Sequence, residues 1–157
     1  MTMKCYQAEP EVAGGFGENT IIDRTSGKMV VRKLHYEFDG WDGDVLLTSS
    51  PSFIVTELAK KELESIGATG IRFDKVEVTT SELFRELYPN LQLPKFVWLQ
   101  IEGKPGRDDF GIGQRYGVVV PDRALEVLKE LGMSNALISP FKCKQEGEPG
   151  ARGEAKA

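Results

Sequence analysis

The stretch that decides the fold is Phe53–Val78, FIVTELAKKELESIGATGIRFDKVEV. A helix with one apolar stripe is predicted by the spacing of Leu58, Ala59, Leu63 and Ile66. Gly67 directly follows this stripe, at the position where glycine commonly ends a helix. From Ile71 onward apolar and polar residues alternate, which is typical of a strand. The stretch therefore predicts a strand, a helix and a second strand.

The same pattern recurs further along the chain. Residues 54–71, IVTELAKKELESIGATGI, align without gaps with residues 119–136, VVPDRALEVLKELGMSNA. Both copies place an acidic residue in the first helical turn, where it favours the positive end of the helix dipole. Both also place a glycine after the last apolar residue. Two copies are too few for a solenoid, so the pattern predicts two helices with flanking strands.

Most of the remaining chain predicts strands. Residues 29–38, MVVRKLHYEF, and 95–103, KFVWLQIEG, are β-rich. In TTSELFRELYP, Thr79 and Glu82 form a possible capping box, which predicts another helix ending before Pro89. We expect an α+β fold with a mostly antiparallel sheet and two or three helices on one face. A local parallel pair within residues 53–78 is the alternative.

The chain divides into one domain and a tail. Residues 1–141 are predicted to form a single α+β domain, which is an ordinary length for one domain. Residues 142–157, KCKQEGEPGARGEAKA, lack large apolar side chains and cannot offset the entropy of ordering them. We expect this segment to be a disordered, flexible polar tail.

Composition restricts the classes of partner and the compartment. The formal net charge is −4, which argues against binding nucleic acid or anionic lipid, because both need a basic surface. No window approaches the length of an apolar membrane span, and the N-terminus has no apolar run typical of a signal peptide. The expected compartment is the cytoplasm.

The two cysteines, Cys5 and Cys143, lack the spacing and histidine neighbours of a zinc site. A disulfide joining the two ends of the chain is one alternative. A small buried thiol at Cys5 and a free thiol in the tail is the preferred interpretation.

The strongest candidate site is Tyr36–Asp44, YEFDGWDGD, with four carboxylates, three aromatic rings and two glycines in nine residues. Its D-x-x-D-x-D spacing differs from a calcium-binding EF-hand loop, so we expect no metal. An exposed tryptophan among carboxylates suits contact with a basic protein. The predicted partner-binding residues are Tyr36, Asp39, Trp41, Asp42 and Asp44. Equally, Trp41 could fold back onto the domain.

Signals for catalysis are weaker. His35 is the only histidine and lies in a strand-like run, without a serine nucleophile motif, so we expect a surface or interface role for it. The glycines of GGFGEN, residues 14–19, precede a strand candidate rather than a helix, which does not favour a phosphate site. Asp108 and Asp109 are adjacent carboxylates that could act as acid and base if their pKa values differed. No cofactor is predicted.

The run GWDGDVLLTSSPSFIVTELAKKELESIGATGIRFDKVEV, residues 40–78, precedes ELYP and a tryptophan-bearing strand. Together these resemble bacterial immunity proteins of polymorphic toxin systems, over about Glu9 to Leu137. The resemblance implies a protein encoded beside a secreted toxin, which binds the cognate toxin domain in the cytoplasm and has no catalytic residue. By analogy, residues 36–44 are the expected toxin contact. Some related proteins carry paired CxxC motifs, which this chain lacks.

The leading hypothesis is thus a non-enzymatic immunity protein that neutralises a cognate toxin domain by covering its surface. The alternative is a small metal-dependent hydrolase that uses Asp108, Asp109 and His35. A regulatory module for another enzyme is a third hypothesis. The oligomeric state is left open by the sequence.

Overall fold

The computed structural model describes residues 4–142, which form thirteen strands and three α-helices. The strands are β1 (Lys4–Glu9), β2 (Gly14–Phe16), β3 (Ile21–Asp23), β4 (Val30–Lys33), β5 (His35–Phe38), β6 (Leu46–Ser49), β7 (Ser52–Thr56), β8 (Ile71–Asp74), β9 (Glu77–Thr80), β10 (Phe96–Ile101), β11 (Gly111–Ile112), β12 (Val118–Pro121) and β13 (Leu137–Lys142). The helices are α1 (Glu57–Ser65), α2 (Glu82–Leu87) and α3 (Asp122–Leu131).

A central antiparallel sheet, with strand order β6-β7-β10-β8, divides the molecule. Strand β7 is buried along its whole length. Because successive side chains of a strand point to opposite faces, Phe53 and Val55 enter one hydrophobic cluster and Ile54 enters another. Leu99 and Trp98 of β10 are separated in the same way. We call the cluster of Phe53, Val55 and Leu99 core 1, and that of Ile54 and Trp98 core 2.

Core 1 is closed by the two repeated units. Helices α1 and α3 contact each other and contribute buried residues to this core. An outer antiparallel sheet, with order β11-β12-β1-β13, covers the remainder. Thr56 caps α1 by accepting the backbone N–H of Ala59 at 3.1 Å, and Gly67 follows the helix with a φ of 68°. The units therefore begin and end where the sequence predicts.

Core 2 is closed by a three-stranded sheet with order β2-β5-β9, in which β5 and β9 are parallel. Its aromatic rings contact one another in series at tilted angles: the ring centroids of Tyr36 and Phe38 are 4.8 Å apart, and those of Phe38 and Phe96 are 5.2 Å apart. Phe84 of α2 completes this cluster. A separate β3–β4 hairpin packs Val31 against it.

The predicted class is confirmed: the fold is α+β with mostly antiparallel sheets, and two helices share core 1. Within residues 53–78, β7 and β8 belong to one sheet but are not paired, because β10 lies between them. IRFDKVEV was predicted as one strand but forms two, since β8 pairs with β10 whereas β9 pairs with β5. The run 29–38 likewise divides at Leu34, where the chain passes from one sheet to another.

Two local predictions about the helices are wrong. Leu58 is 57% exposed, because the buried pair Ala59 and Leu63 is four residues apart and defines the inner face of α1. The cap of α2 is Ser81, which accepts the N–H of Phe84 at 3.1 Å. Thr79 belongs to β9 instead.

The ends of the described region bear on two further predictions. Lys142, assigned to the tail from the sequence, ends strand β13, and the rest of the predicted tail lies outside the described residues. Cys5 is buried as expected, but it takes part in a disulfide, so the preferred interpretation of a buried thiol at this position is wrong. The other cysteine of the chain, Cys143, lies outside the described residues.

The two faces of α1 provide a stability test. Leu63→Ala should lower the free energy of unfolding by about 2–5 kcal/mol, because it leaves a cavity in core 1. Leu58→Ala, the matched control on the exposed face, should change it by less than about 0.5 kcal/mol. Urea unfolding of the two variants measures both values. Equal losses would contradict the assignment of the buried face.

Candidate functional site

The acidic run forms one side of a groove of about 300 Å³. The other sides come from the β1–β2 connection and from the residue that follows α2. The side chains that line it include Glu11, Val12, Asp39, Trp41, Asp42 and Tyr88. We call it the acidic groove. Three separate parts of the chain must be in place for it to exist.

Tyr36 fixes the β1–β2 connection from below. Its hydroxyl accepts the N–H of Ala13 and donates to the carbonyl of Thr48, both at 3.0 Å. The backbone N–H of Asp39 donates to the carbonyl of Ala13 at 2.8 Å. Tyr36 is 0% exposed, and burial raises its pKa to about 12. It therefore remains a neutral structural anchor at physiological pH.

Asp44 fixes the β5–β6 loop. Its side chain is 1% exposed, and its two carboxylate oxygens accept the backbone N–H and the side-chain amide of Asn135, each at 3.0 Å. These bonds tie the loop to the turn between α3 and β13. A buried carboxylate is stable only with such partners, so Asp44 is committed to the fold.

Trp41 folds back onto the domain. Its indole N–H donates to the backbone carbonyl of Asp44 at 2.8 Å. Its ring meets Phe96 edge-on, with 6.2 Å between centroids. The ring is only partly buried, and it forms a wall of the acidic groove. Of the two alternatives for Trp41, the structure shows the one in which the side chain folds back onto the domain. Trp41 nevertheless stays partly exposed in the acidic groove.

Glu11 is a site residue that the sequence analysis missed. Burial raises its pKa, and the nearby carboxylates of Asp42 and Asp44 raise it further, although the backbone N–H of Asp42 acts in the opposite direction. Its Oε1 atom is buried and has no hydrogen-bond partner among residues 4–142. A β-bridge between Glu11 and Leu47 brings it to this position. No local motif surrounds Glu11, so the sequence carries no signal for it.

Tyr88 is the second missed residue. Its ring packs on Phe84 at 5.8 Å and lies over Gly40, where an added Cβ would come within 3.3 Å of the Tyr88 ring. The surrounding surface is apolar, since Leu83 and Leu87 of α2 are exposed, as is Val12 across the groove. Tyr88 therefore joins an acidic groove to an apolar helix face.

Three residues of the predicted contact set line the acidic groove together: Asp39, Trp41 and Asp42. The structure corrects the set for Tyr36 and Asp44. Both side chains are buried and hydrogen-bonded inside the domain, so neither presents a surface to a partner.

The carboxylates proposed for a hydrolase make hydrogen bonds and ion pairs within the domain. Asp109 accepts the backbone N–H of Thr69 at 2.8 Å and pairs with Arg123 at 2.6 Å. Asp108 accepts the backbone N–H of Lys104 at 2.9 Å, and this bond, with the nearby Arg107, holds the pKa of Asp108 below its usual value.

His35 is buried, so its predicted surface position is wrong. Its Nδ1 accepts the backbone N–H of Asn19 at 3.1 Å, which assigns the ring proton to Nε2, 2.7 Å from the Thr79 hydroxyl. Gly17 lies against the imidazole and leaves no room for a Cβ. No hydrogen bond or ion pair of the described chain joins His35 to Asp108 or Asp109. The structure does not bring the hydrolase residues together.

Other chemical sites are not evident in the described part of the chain. Within residues 4–142, no group of three His, Cys, Asp or Glu side chains is placed to hold a metal ion. Residues 14–16 of the glycine-rich segment form strand β2. No helix in the same range has the length and apolar character needed to cross a membrane.

Comparison with known proteins yields no protein-family model and no curated protein that matches this chain. The likeness to immunity proteins therefore rests on the sequence features quoted above.

The raised pKa of Glu11 predicts a pH-dependent stability effect. Between its ordinary value of 4.5 and its raised folded value, the folded state binds more protons than the unfolded state. The contribution of Glu11 to stability therefore falls as pH rises through this window. Glu11→Gln should raise the melting temperature by about 1–4 °C at pH 7, and the gain should shrink toward pH 4.

Thermal unfolding followed by circular dichroism at the two pH values measures this effect. Glu130→Gln, an exposed neutralisation on α3, is the matched control and should show no comparable pH-dependent gain. A Glu11→Gln gain that is the same at both pH values would contradict the electrostatic explanation.

Proposed function

We propose that this chain is a non-enzymatic binding protein that uses the acidic groove to engage a basic surface of a partner protein. One observation carries the proposal: three carboxylates and two aromatic rings converge on one concave surface. These are the side chains of Glu11, Asp39, Trp41, Asp42 and Tyr88. Such a surface offers both charge and contact area to a partner.

An arginine side chain is the partner group that suits this groove best. Its guanidinium donates to carboxylates in a fixed fork and stacks on aromatic faces. The charges of the groove favour a cation further, because burial and the neighbouring carboxylates penalise the ionised form of Glu11. A bound guanidinium would relieve that repulsion.

The apolar surface beside the groove would supply contact area. Leu83 and Leu87 are four residues apart on α2, so they share a helix face, and both are exposed. Tyr88 connects this face to the acidic groove. The carboxylates would steer the encounter, and the apolar side chains would prolong the complex.

Among binding proteins, we propose the immunity class: the partner is a cognate bacterial toxin domain, which the chain neutralises by covering its surface. The resemblance of residues 40–78 to immunity proteins supports this assignment, and the acidic groove supports a basic toxin surface. Neutralisation would require only that the complex block access to the toxin's site.

The compartment proposed with this function is the cytoplasm of the producing cell. The Cys5 disulfide is the observation against it, because disulfides are rare in a reducing cytosol. Thiol labelling of the protein in its native cell decides the matter. A reduced Cys5 supports the cytoplasm, and an oxidised Cys5 contradicts it.

The binding proposal predicts a strong dependence on the two exposed acidic residues. The double variant Asp39→Asn and Asp42→Asn should weaken binding to the toxin domain encoded by a neighbouring gene by roughly tenfold or more, and should reduce the salt dependence. Tyr88→Ala should weaken it by about 2 kcal/mol if the ring is buried in the complex. Isothermal titration calorimetry at two salt concentrations measures all three effects.

The matched control is Glu126→Gln with Glu130→Gln, which removes the same charge from the exposed face of α3. It should leave the affinity within about twofold, because α3 does not line the groove. Unchanged affinity in the groove variants, or an equal loss in the control, would refute the groove as the contact site.

A further inference from the structure

The tip of the β11–β12 hairpin has an unusual backbone conformation. The N–H of Gly117 donates to the carbonyl of Gln114 at 2.9 Å, which closes a four-residue turn. The two central residues, Arg115 and Tyr116, have φ values of 54° and 58°. Two successive positive φ values define a type I′ turn, which strongly prefers Asn-Gly at these positions. Arginine and tyrosine are therefore strained here.

The fold does not compensate for this strain through the two side chains. Among the described residues, neither Arg115 nor Tyr116 makes a side-chain hydrogen bond, an ion pair or a ring contact. Tyr116 is 60% exposed. Strained positions that persist without structural use are concentrated at binding sites.

Gln7 of β1 makes two hydrogen bonds to the turn. Its side-chain amide donates to the carbonyl of Gln114 and accepts the N–H of the same residue, both at 2.9 Å. Gly113 and Gly117 lie against this amide, and an added Cβ would approach it to 2.3 Å and 2.8 Å. The tip is thus preorganised, which lowers the entropic cost of binding.

Tyr116 borders a second cavity, of about 320 Å³, which we call the apolar groove. Met29 and Val31 of the β3–β4 hairpin region line one side, and Trp98 and Ile112 line others. No lining residue is charged. The polar groups include the amide of Gln100, whose Oε1 has no hydrogen-bond partner within residues 4–142. None of the lining residues belongs to the acidic groove.

We propose that the apolar groove and the Arg115–Tyr116 tip together bind a small aromatic carboxylate. The groove has the volume and apolar lining for a fused ring, which Tyr116 and Trp98 would contact. Arg115 precedes Tyr116 in the chain, does not itself line the groove and makes no ion pair in the described chain, so its guanidinium would receive the carboxylate of a ligand that extends toward the tip. The proposal is independent of the toxin-binding function.

A pair of probes tests the ring and the charge separately. In ¹⁵N–¹H correlation spectra, 2-naphthoate at millimolar concentration should shift the backbone amides of Met29, Ile112 and Tyr116. The uncharged 2-naphthamide, which has the same ring system, should shift the same amides but bind roughly threefold or more weakly. Failure of 2-naphthoate to shift these amides, or equal binding of the two probes, would overturn the proposal.

Variants of the tip test the role of strain. Arg115→Asn with Tyr116→Gly installs the preferred turn sequence, so this double variant should melt at a higher temperature than the native protein yet bind 2-naphthoate roughly tenfold more weakly. Arg115→Gln should remove the preference for the charged probe. Lys129→Gln, on the exposed face of α3, is the matched charge control and should retain the preference.

Two results with these variants would also overturn the proposal. The first is undiminished binding of 2-naphthoate by the double variant. The second is a double variant that is less stable than the native protein, because the turn would then need arginine and tyrosine for the fold itself.

Discussion

The alternation of side chains along β7 is the constraint on which the rest of the structure depends. A strand that is buried on both faces must send each successive side chain into a different core. Phe53 and Val55 thereby bind the two helical units to one face, while Ile54 packs with the aromatic cluster on the other. A shift of one residue in the pairing of β7 would exchange these partners, and neither core would close. The acidic groove lies at the margin of the second core, so its geometry derives from the same alternation.

The acidic groove combines hydrogen bonds that stabilise its walls with like charges that repel each other. Tyr36 and Asp44 stabilise the two walls through buried hydrogen bonds, while Glu11 and Asp42 place like charges close together. The free protein therefore holds a charge arrangement that a basic ligand would improve. A similar opposition occurs at the hairpin tip, where Gln7 enforces a backbone conformation that Arg115 and Tyr116 disfavour. In both places hydrogen bonds from neighbouring segments hold an arrangement that the residues themselves disfavour.

The helices and the class of fold were predictable because apolar spacing and glycine ends are local signals. The change of sheet between β8 and β9 was not, since alternation continues unchanged while the pairing partner changes. Burial of Tyr36 could have been inferred, because it shares a strand face with Leu34 and Phe38, and all three are buried. Glu11 and Tyr88 could not, because the groove joins segments that are far apart in sequence and neither residue has a motif. The hydrogen bonds between Asp44 and Asn135 could not be predicted for the same reason, because the two residues are 91 positions apart.

That long-range link makes one amide group a point of chemical vulnerability. Spontaneous deamidation converts an asparagine side chain into a carboxylate. At Asn135, which is exposed, it would replace the amide donor that faces the buried Asp44 with a second negative charge. The loop that carries Trp41 would then lose one of its hydrogen bonds to the turn after α3, while the N–H of Val45 would still donate to the carbonyl of Gly132. Deamidation of Asn135, in the turn after α3, would thus affect the acidic groove, which the β5–β6 loop helps to form, without any change in the encoded sequence.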